Sequence, residues 1–263
     1  MARASDITLF EGARLSAGRL HEAFGPSARA FAAMAVAAAG EARPVLWARG
    51  RDPRRHLNPL GLAPFFNPGR LILAECERPL DILWCMEEAL RFSPAALVIA
   101  ELTKPMDLTI SRRLQLASEA GGGIGLALVD DAPVSNAAET RWFCAPLLRD
   151  CGENVENTEE RLGERIGEND GEENGEGFGE TPVDNRLPAQ DSTRWRLSLI
   201  KNKKGTNGHW EIEWNAPARC ISVVSKIAGG SAIAFGSYQS GAAFCRGARR
   251  EERAAALRAE QGG

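Results

Sequence analysis

Residues 18–32 read Gly18-Arg-Leu-His-Glu-Ala-Phe-Gly-Pro-Ser-Ala-Arg-Ala-Phe-Ala32. The first part is interpreted as a strand, the Gly-Pro pair is typical of a tight turn, and the alanine-rich run that follows predicts a helix. A strand that ends in a tight turn at a helix N-terminus is the place where P-loop proteins bind phosphate. This stretch therefore predicts the first strand, turn and helix of an α/β fold.

Short apolar runs and helical patterns alternate from this stretch as far as about residue 148. The apolar runs are residues 43–48, 70–75, 95–101 and 123–130. Their lengths suit buried parallel strands, although periodicity alone does not exclude short helices. Residues 79–92 and 108–120 carry apolar side chains at helical spacing. The alternation predicts a mostly parallel sheet covered on both faces, a three-layer α/β/α core within residues 1–150.

A strongly acidic segment follows this core. Residues 151–190 contain twelve acids and three arginines, a charge of −9, so the remainder of the chain carries +6 within a net charge of −3. The segment almost lacks large apolar residues and cannot bury enough surface to offset the entropy of ordering. It predicts a disordered acidic insertion over residues 151–191. The mildly basic remainder is compatible with nucleic acid nearby.

Alternating runs resume after the acidic segment. Residues 194–201 and 209–214 flank a loop that contains Gly205 and Gly208, which predicts a β-hairpin over residues 192–216 that completes the core. Residues 217–263 are weakly patterned and predict a C-terminal tail that is partly disordered.

Composition predicts a cytoplasmic protein without a membrane span or metal. The longest apolar stretch, residues 30–39, is about half of the ~20 residues that a spanning helix needs. The N-terminus has no apolar region of a signal peptide. The six cysteines include no CxxC pair, so reduced thiols are expected. His21, His56 and His209 are too far apart in sequence to suggest a metal site or catalytic pair, and each is predicted to be structural or exposed.

The turn in the opening stretch resembles the phosphate-binding loop of RecA-type recombinase cores. The matching positions are Gly25, Pro26, Ser27, Ala28, Arg29, Ala30, Phe31 and Ala32. In this register the phosphate-binding lysine falls on Phe31 and the Mg-binding hydroxyl on Ala32, and neither side chain supplies that chemistry. The resemblance implies a RecA-like core with a degenerate loop, no cofactor and no enzymatic activity. Glu101 lies where a Walker B strand would present its aspartate, so an atypical RecA-type ATPase stays an alternative.

A closer resemblance is to the ImuA family of damage-inducible mutagenesis proteins, which are RecA-like and lack a working P-loop. It runs through His21-Glu-Ala-Phe-Gly-Pro26, Leu57-Asn-Pro-Leu-Gly-Leu62, Phe66-Asn-Pro-Gly-Arg70, Leu83-Trp-Cys-Met-Glu-Glu-Ala-Leu90, Glu139-Thr-Arg-Trp142 and Arg194-Trp-Arg-Leu197. The resemblance covers most of residues 18–214. It implies a non-catalytic adaptor in the SOS response that supports error-prone translesion synthesis. Its partners would be an ImuB-like, Y-family-like protein, an alternative DNA polymerase and RecA. A SulA-like cell-division inhibitor is the alternative from another class, although such a protein would be shorter.

Basic side chains supply candidate contacts to DNA or a partner. They are Lys201, Lys203 and Lys204 in the predicted hairpin and Arg249, Arg250 and Arg253 in the tail. A basic loop can bind DNA phosphates without reading sequence. Three lysines are also ordinary in a surface turn, so both interpretations stay open.

The tryptophans allow two interpretations as well. Trp84 can mark a docking surface, but an amphipathic core helix explains the same spacing and is favoured. Trp142, Trp195, Trp210 and Trp214 alternate with arginines. Such a pattern can stack nucleic-acid bases, but it also describes strands with one buried face, which is the favoured interpretation.

Overall fold

The computed structural model describes residues 5–52, 56–92, 95–130, 134–147 and 194–227. In chain order the elements are β1 (Ile7–Phe10), β2 (Ala13–Leu15), β3 (Leu20–Phe24), α1 (Ala28–Ala38), β4 (Val45–Gly50), α2 (Pro59–Leu62), a 3₁₀ turn (Pro68–Arg70), β5 (Leu71–Cys76), α3 (Pro79–Phe92), β6 (Leu97–Leu102), α4 (Leu108–Gly121), β7 (Gly125–Val129), β8 (Thr140–Leu147), β9 (Arg194–Asn202), β10 (Gly208–Asn215) and β11 (Cys220–Ile227). The predicted acidic insertion over residues 151–191 lies outside the described residues. None of the helices in these ranges has the length and apolar character needed to cross a bilayer.

One mixed sheet of nine strands organises the protein. Its order is β11-β10-β9-β8-β3-β7-β6-β4-β5. The strands from β8 to β5 pair in parallel, and β9, β10 and β11 add to β8 as antiparallel neighbours. Strands β1 and β2 form a separate antiparallel hairpin. The predicted α/β class with a mostly parallel sheet is confirmed.

Elements pack on both faces of this sheet. Helix α1, the β1–β2 hairpin and the short α2 contribute to one hydrophobic core, whereas α3 and α4 contribute to the other. The central strands β6 and β7 are almost completely buried, as their continuous apolar sequences require in a sheet covered on both sides. The three-layer prediction is therefore confirmed as well.

Local signals place the ends of α4. Asp107 Oδ1 accepts a hydrogen bond from the Ile110 N–H at 2.7 Å and caps the N-terminus. Gly122 ends the helix in the left-handed region at φ 71° and donates its N–H to the Ser118 carbonyl. At the neighbouring Gly121, a Cβ would lie only 2.0 Å from the Leu90 carbonyl oxygen. Glycine at this point allows α4 to approach α3 closely.

The antiparallel half of the sheet settles the interpretation of four tryptophans. Trp142, Trp195, Trp210 and Trp214 are all buried. On the opposite side of β9 and β10, Arg194 pairs with Glu213 and Arg196 with Glu211, each at 3.3 Å. The structural interpretation is confirmed, because these indole rings are not accessible for stacking on bases.

The sheet is larger than the sequence predicts. Strand β8 inserts between the parallel and antiparallel halves, and β11 extends the sheet beyond the predicted hairpin into the region interpreted as a tail. The β1–β2 hairpin before the opening stretch is also additional.

The interpretation of Trp84 as a core residue is wrong. Its side chain is 65% exposed, and Leu80, one turn earlier on α3, is 73% exposed. Helix α3 packs against α4 on one side and lies over the sheet edge formed by β5 on the other. Helical spacing alone does not reveal that the sheet ends beneath this side of the helix.

Candidate functional site

The turn between β3 and α1 is a packed corner of three residues, Gly25 to Ser27. Gly25 adopts φ +97°, and a Cβ there would lie 2.5 Å from the Cys144 carbonyl oxygen and 2.9 Å from the Phe143 ring. The Ser27 N–H donates to that same carbonyl at 3.1 Å. A phosphate cradle needs a longer glycine-rich loop whose amides point at the ligand. Here β8 fills that space and accepts the Ser27 amide.

The residues that match the lysine and hydroxyl positions lie in the core. Phe31 and Ala32 are fully buried in α1. The Phe31 ring packs against Trp142 at a centroid distance of 5.3 Å, and Trp142 in turn contacts Trp210 at 6.0 Å. Ser27 and Ala28 are buried too, Ala30 is half-buried, and Pro26 is the exposed residue of the turn. These side chains hold α1 on the sheet and do not line an open site.

Arg29 and Glu101 close the crevice beside this turn. Arg29 NH2 lies 2.6 Å from Glu101 Oε2, and Trp47 Nε1 donates to Glu101 Oε1 at 3.0 Å. Both oxygens of the one acid that sequence offers as a Walker B residue therefore accept a hydrogen bond from protein. Across the described ranges, no three His, Cys, Asp or Glu side chains are arranged to hold a metal ion.

A buried arginine, which the sequence analysis did not single out, lies on β4 in the same region. Arg49 is 1% exposed. Its NH2 donates to the Asp52 carbonyl at 3.3 Å, and its NH1 forms a long ion pair with Glu75 at 3.8 Å. Nε and NH1 donate no hydrogen bond to any residue that the structure describes. The signal in the sequence is an arginine at the end of the apolar run Val45-Leu-Trp-Ala-Arg-Gly50.

These side chains meet at the carboxyl ends of the parallel strands. Strand β4 leads to α2 on one face and β6 leads to α4 on the other, and such a switch point is where α/β sheets bind ligands. The cavity left between Arg29, Arg49 and Glu101 has a volume of about 60 Å³. Small-molecule sites have volumes of about 300–1,000 Å³, and this space holds about two waters at ~30 Å³ each. The described residues therefore enclose no nucleotide-sized cavity at this crevice.

The lysines of the β9–β10 hairpin hold a neighbouring segment in place. Lys201 Nζ donates to the Asn136 carbonyl at 2.7 Å, and Lys203 Nζ donates to the Ala137 carbonyl at 2.6 Å. Burial lowers the pKa of Lys201, and the positive charges of Arg141 and Lys203 lower it further. Lys204 is exposed and pairs with Glu139 at 3.5 Å. Their proposed contact to DNA or a partner stays a prediction, and Arg249, Arg250 and Arg253 lie outside the described residues.

A charged network on β3 was also missed by sequence reasoning. Glu22 is fully buried in the middle of this strand. Arg141 Nε donates to it at 2.7 Å, and Asn136 Nδ2 donates at 3.0 Å. Because Lys201 binds the Asn136 carbonyl, the network joins β3, β8 and β9. A glutamate inside a fully buried strand is the signal that could have revealed it.

His21 lies on the opposite face of β3 and is structural. Its Nδ1 is 2.7 Å from Thr140 Oγ1 and its Nε2 is 3.2 Å from the Ser16 carbonyl oxygen. Burial lowers the pKa of His21 to about 4, against the smaller opposing effects of the Ser16 carbonyl and of Glu139. The ring is therefore neutral at pH 7, which agrees with the structural interpretation of the histidines.

Comparisons with known proteins add no family to this picture. No family model matches the chain, and no curated protein matches it in sequence. The resemblance to the ImuA family stays a hypothesis that rests on the strings of residues quoted above.

Proposed function

We propose that this chain is a non-catalytic, RecA-like adaptor of the SOS DNA-damage response. It would support error-prone translesion synthesis through contacts with an ImuB-like protein, an alternative DNA polymerase and RecA. The observation that carries the proposal is the combination of an intact parallel sheet with a filled phosphate-binding corner. The Ser27 amide is bound to Cys144, and Phe31 is packed on Trp142.

The filled corner favours a role in binding partners over a role in ATP hydrolysis. ATP hydrolysis needs a phosphate cradle, a lysine and a metal-binding hydroxyl or carboxylate close together. In this protein Glu101 is paired with Arg29, and the cavity of about 60 Å³ that the described residues leave there is much smaller than a usual small-molecule site. A RecA-like sheet that has lost this chemistry still offers its outer surfaces to partners.

One outer surface fits the role of an adaptor. We call it the α3–β5 face: Leu80 and Trp84 on α3 and Ile72 on the edge strand β5, exposed by 73%, 65% and 51%. Among the described strands β5 pairs with β4 alone, so its outer edge presents backbone groups that no described strand pairs. Leu80 and Trp84 lie one turn apart on α3, and grouped exposed apolar side chains are typical of protein–protein contacts.

The test is the frequency of mutations induced by ultraviolet light. A strain lacking the gene is complemented with the wild-type chain, with Trp84→Ser, or with Leu116→Ser as a control at a half-exposed position of α4. We expect induced mutagenesis to collapse without the gene and to return with the wild-type and Leu116→Ser chains. Trp84→Ser should restore it poorly and should capture less ImuB-like protein in co-purification, while its stability changes little because the position is exposed.

Cell length and ATP binding are measured in parallel. Normal induced mutagenesis in the deletion strain would contradict the proposal. Loss of filamentation in that strain would then favour a division inhibitor similar to SulA. Binding of labelled ATP with Mg²⁺ to the purified chain would instead favour an atypical ATPase.

A further inference from the structure

A half-open cavity lies at the amino ends of the parallel strands, whereas the site described above lies at their carboxyl ends. It has a volume of about 350 Å³ and is enclosed by the β1–β2 hairpin, the start of β8 and the end of β9. Phe10 and Leu199 contribute apolar walls, and Glu139 and Lys204 contribute charges. The volume is within the range of about 300–1,000 Å³ that is usual for small-ligand sites.

Glu139 is a buried carboxylate with an unfilled hydrogen-bonding position. Its side chain is 7% exposed, and its Oε1 accepts no hydrogen bond from the described part of the chain. The backbone of Glu139 is fixed on both sides, because its N–H donates to the Leu20 carbonyl at 2.7 Å and its carbonyl accepts from the Lys203 N–H at 3.1 Å. A carboxylate taken out of water normally needs charged or N–H donors, so a donor is missing at a preorganised acceptor.

Lys204 compensates the buried charge of Glu139 only in part. Its Nζ lies 3.5 Å from Glu139 Oε1, and its side chain is 59% exposed. A charge-assisted hydrogen bond between nitrogen and oxygen measures about 2.7–2.9 Å, so this is a loose ion pair. An exposed lysine can turn into solvent at little cost, and a better-placed cation can then replace it.

The charges of the cavity favour a cation over an anion. Arg14, the other basic residue of the lining, is paired with Asp6 at 3.3 Å. Glu11 is exposed at the rim. With Arg14 balanced by Asp6, the two glutamates exceed the single charge of Lys204.

The geometry points to a binding site for an alkylammonium or alkylguanidinium group in this cavity. The cationic head hydrogen-bonds to Glu139 and displaces Lys204, and the aliphatic part lies against Phe10 and Leu199. The cation is carried either by a small amine or by the side chain of a basic peptide, since both present the same chemistry. The inference does not depend on the proposed adaptor function.

Isothermal titration calorimetry of the full chain with n-butylguanidinium chloride tests the site. We expect a dissociation constant of about 1 mM or tighter. Glu139→Gln should weaken binding by about tenfold or more, because the charged acceptor is lost. Lys204→Met should strengthen binding by several fold, because it removes the competing ammonium group. Lys226→Met, at an exposed lysine of β11, should leave the affinity unchanged.

The two substitutions should change the affinity in opposite directions: Glu139→Gln should weaken binding, and Lys204→Met should strengthen it. A merely structural Lys204 would not compete with the added cation. Should Glu139→Gln fail to fold by circular dichroism, the comparison of Lys204→Met with Lys226→Met still decides. The inference is overturned if neither the wild-type nor the Lys204→Met chain binds the cation, or if folded Glu139→Gln keeps the wild-type affinity.

The source of the cation is tested in a second titration with the capped peptide Gly-Gly-Arg-Gly-Gly. Tighter binding of the peptide than of n-butylguanidinium assigns the site to a basic side chain of a partner protein. Tighter binding of n-butylguanidinium assigns it to a small amine. Either result requires the same dependence on Glu139.

Discussion

The carboxyl ends of the parallel strands, which we call the carboxyl edge, and their amino ends, which we call the amino edge, each hold a glutamate in different surroundings. At the carboxyl edge, both oxygens of Glu101 accept hydrogen bonds, from Arg29 at 2.6 Å and from Trp47 at 3.0 Å. At the amino edge, Glu139 Oε1 accepts none from the described residues and has only a loose ion pair with Lys204 at 3.5 Å. The first edge keeps a cavity of about 60 Å³ and the second a cavity of about 350 Å³.

The usual ligand position of an α/β sheet is thus the more closed of the two in this protein. The carboxyl ends of parallel strands form a ready crevice, but here charge pairing and aromatic packing fill it. An unfilled acceptor beside open volume marks a binding site more directly than its position in the topology does. The following predictions test whether the first edge is closed and the second is open.

Phe31→Lys should have the largest effect, because it places a lysine where a P-loop would have one. Phe31 is completely buried against Trp142. An ammonium group there has no partner, so the free energy of unfolding should fall by more than about 4 kcal/mol. Urea unfolding followed by tryptophan fluorescence measures the loss, and labelled ATP measures whether binding is gained.

Ala38→Lys is the matched control on the same helix, since Ala38 is exposed in the last turn of α1. It should change the free energy of unfolding by less than about 0.5 kcal/mol. A stable Phe31→Lys chain that binds Mg-ATP would show that the carboxyl edge opens easily. That result would contradict the statement that this edge is closed.

Acid should lower the free energy of unfolding through His21, which lies at the amino edge. Burial lowers its pKa to about 4, whereas an unfolded histidine titrates near 6.5. Between these values the unfolded chain binds the proton and the folded chain does not, so stability falls as the pH decreases from about 6.5 to 4. The contribution of His21 over this interval is about 3 kcal/mol.

The check compares the wild-type chain with His21→Gln in urea unfolding at pH 7 and at pH 4. Carboxylates also titrate in this range, so the informative quantity is the difference between the two chains. His21→Gln should lose about 3 kcal/mol less than the wild type on acidification. His56→Gln, at an exposed histidine, should follow the wild type, and identical acid sensitivity of all three chains would contradict a neutral buried His21.

Sequence predicted the elements whose signals are local. Helix α3 has the predicted bounds, and the cap at Asp107 and the glycine at 122 delimit α4. Strand β8 was not predicted because it contains Pro146 and because its sequence does not alternate between apolar and polar residues, although its burial alternates from Thr140 to Ala145. Strand β11 was missed because five of its eight residues are exposed at the sheet edge, where patterning is weak.

The site was less predictable because its contacts are distant in sequence. The sequence predicts from side-chain chemistry alone that Phe31 and Ala32 do not bind phosphate, and the structure places both in the core. The acceptors of Lys201 and Lys203 lie at Asn136 and Ala137, more than sixty positions earlier, and no local pattern connects them. The same distance separates Lys204 from Glu139, so the amino-edge cavity has no signature in the sequence.

Matched glutamine substitutions at Glu101 and Glu139 should have the smallest effects on the free energy of unfolding, but they compare the two edges most directly. In Glu101→Gln one amide oxygen must replace two acceptors, and the amide N–H then faces Arg29 or Trp47. The loss of a hydrogen bond to a charged group should lower the free energy of unfolding by about 2 kcal/mol. In Glu139→Gln no hydrogen bond to the unfilled Oε1 is lost, and a loose pair with an exposed lysine contributes little.

Glu139→Gln should therefore change the free energy of unfolding by no more than about 0.5 kcal/mol in urea. Equal losses at the two positions would mean that Glu139 is as fully engaged as Glu101, and the amino edge would then be as closed as the carboxyl edge. A small loss at Glu139 together with a large one at Glu101 separates structural pairing from an acceptor kept available. Since the two substitutions are chemically identical, only the surroundings of each carboxylate can cause the difference.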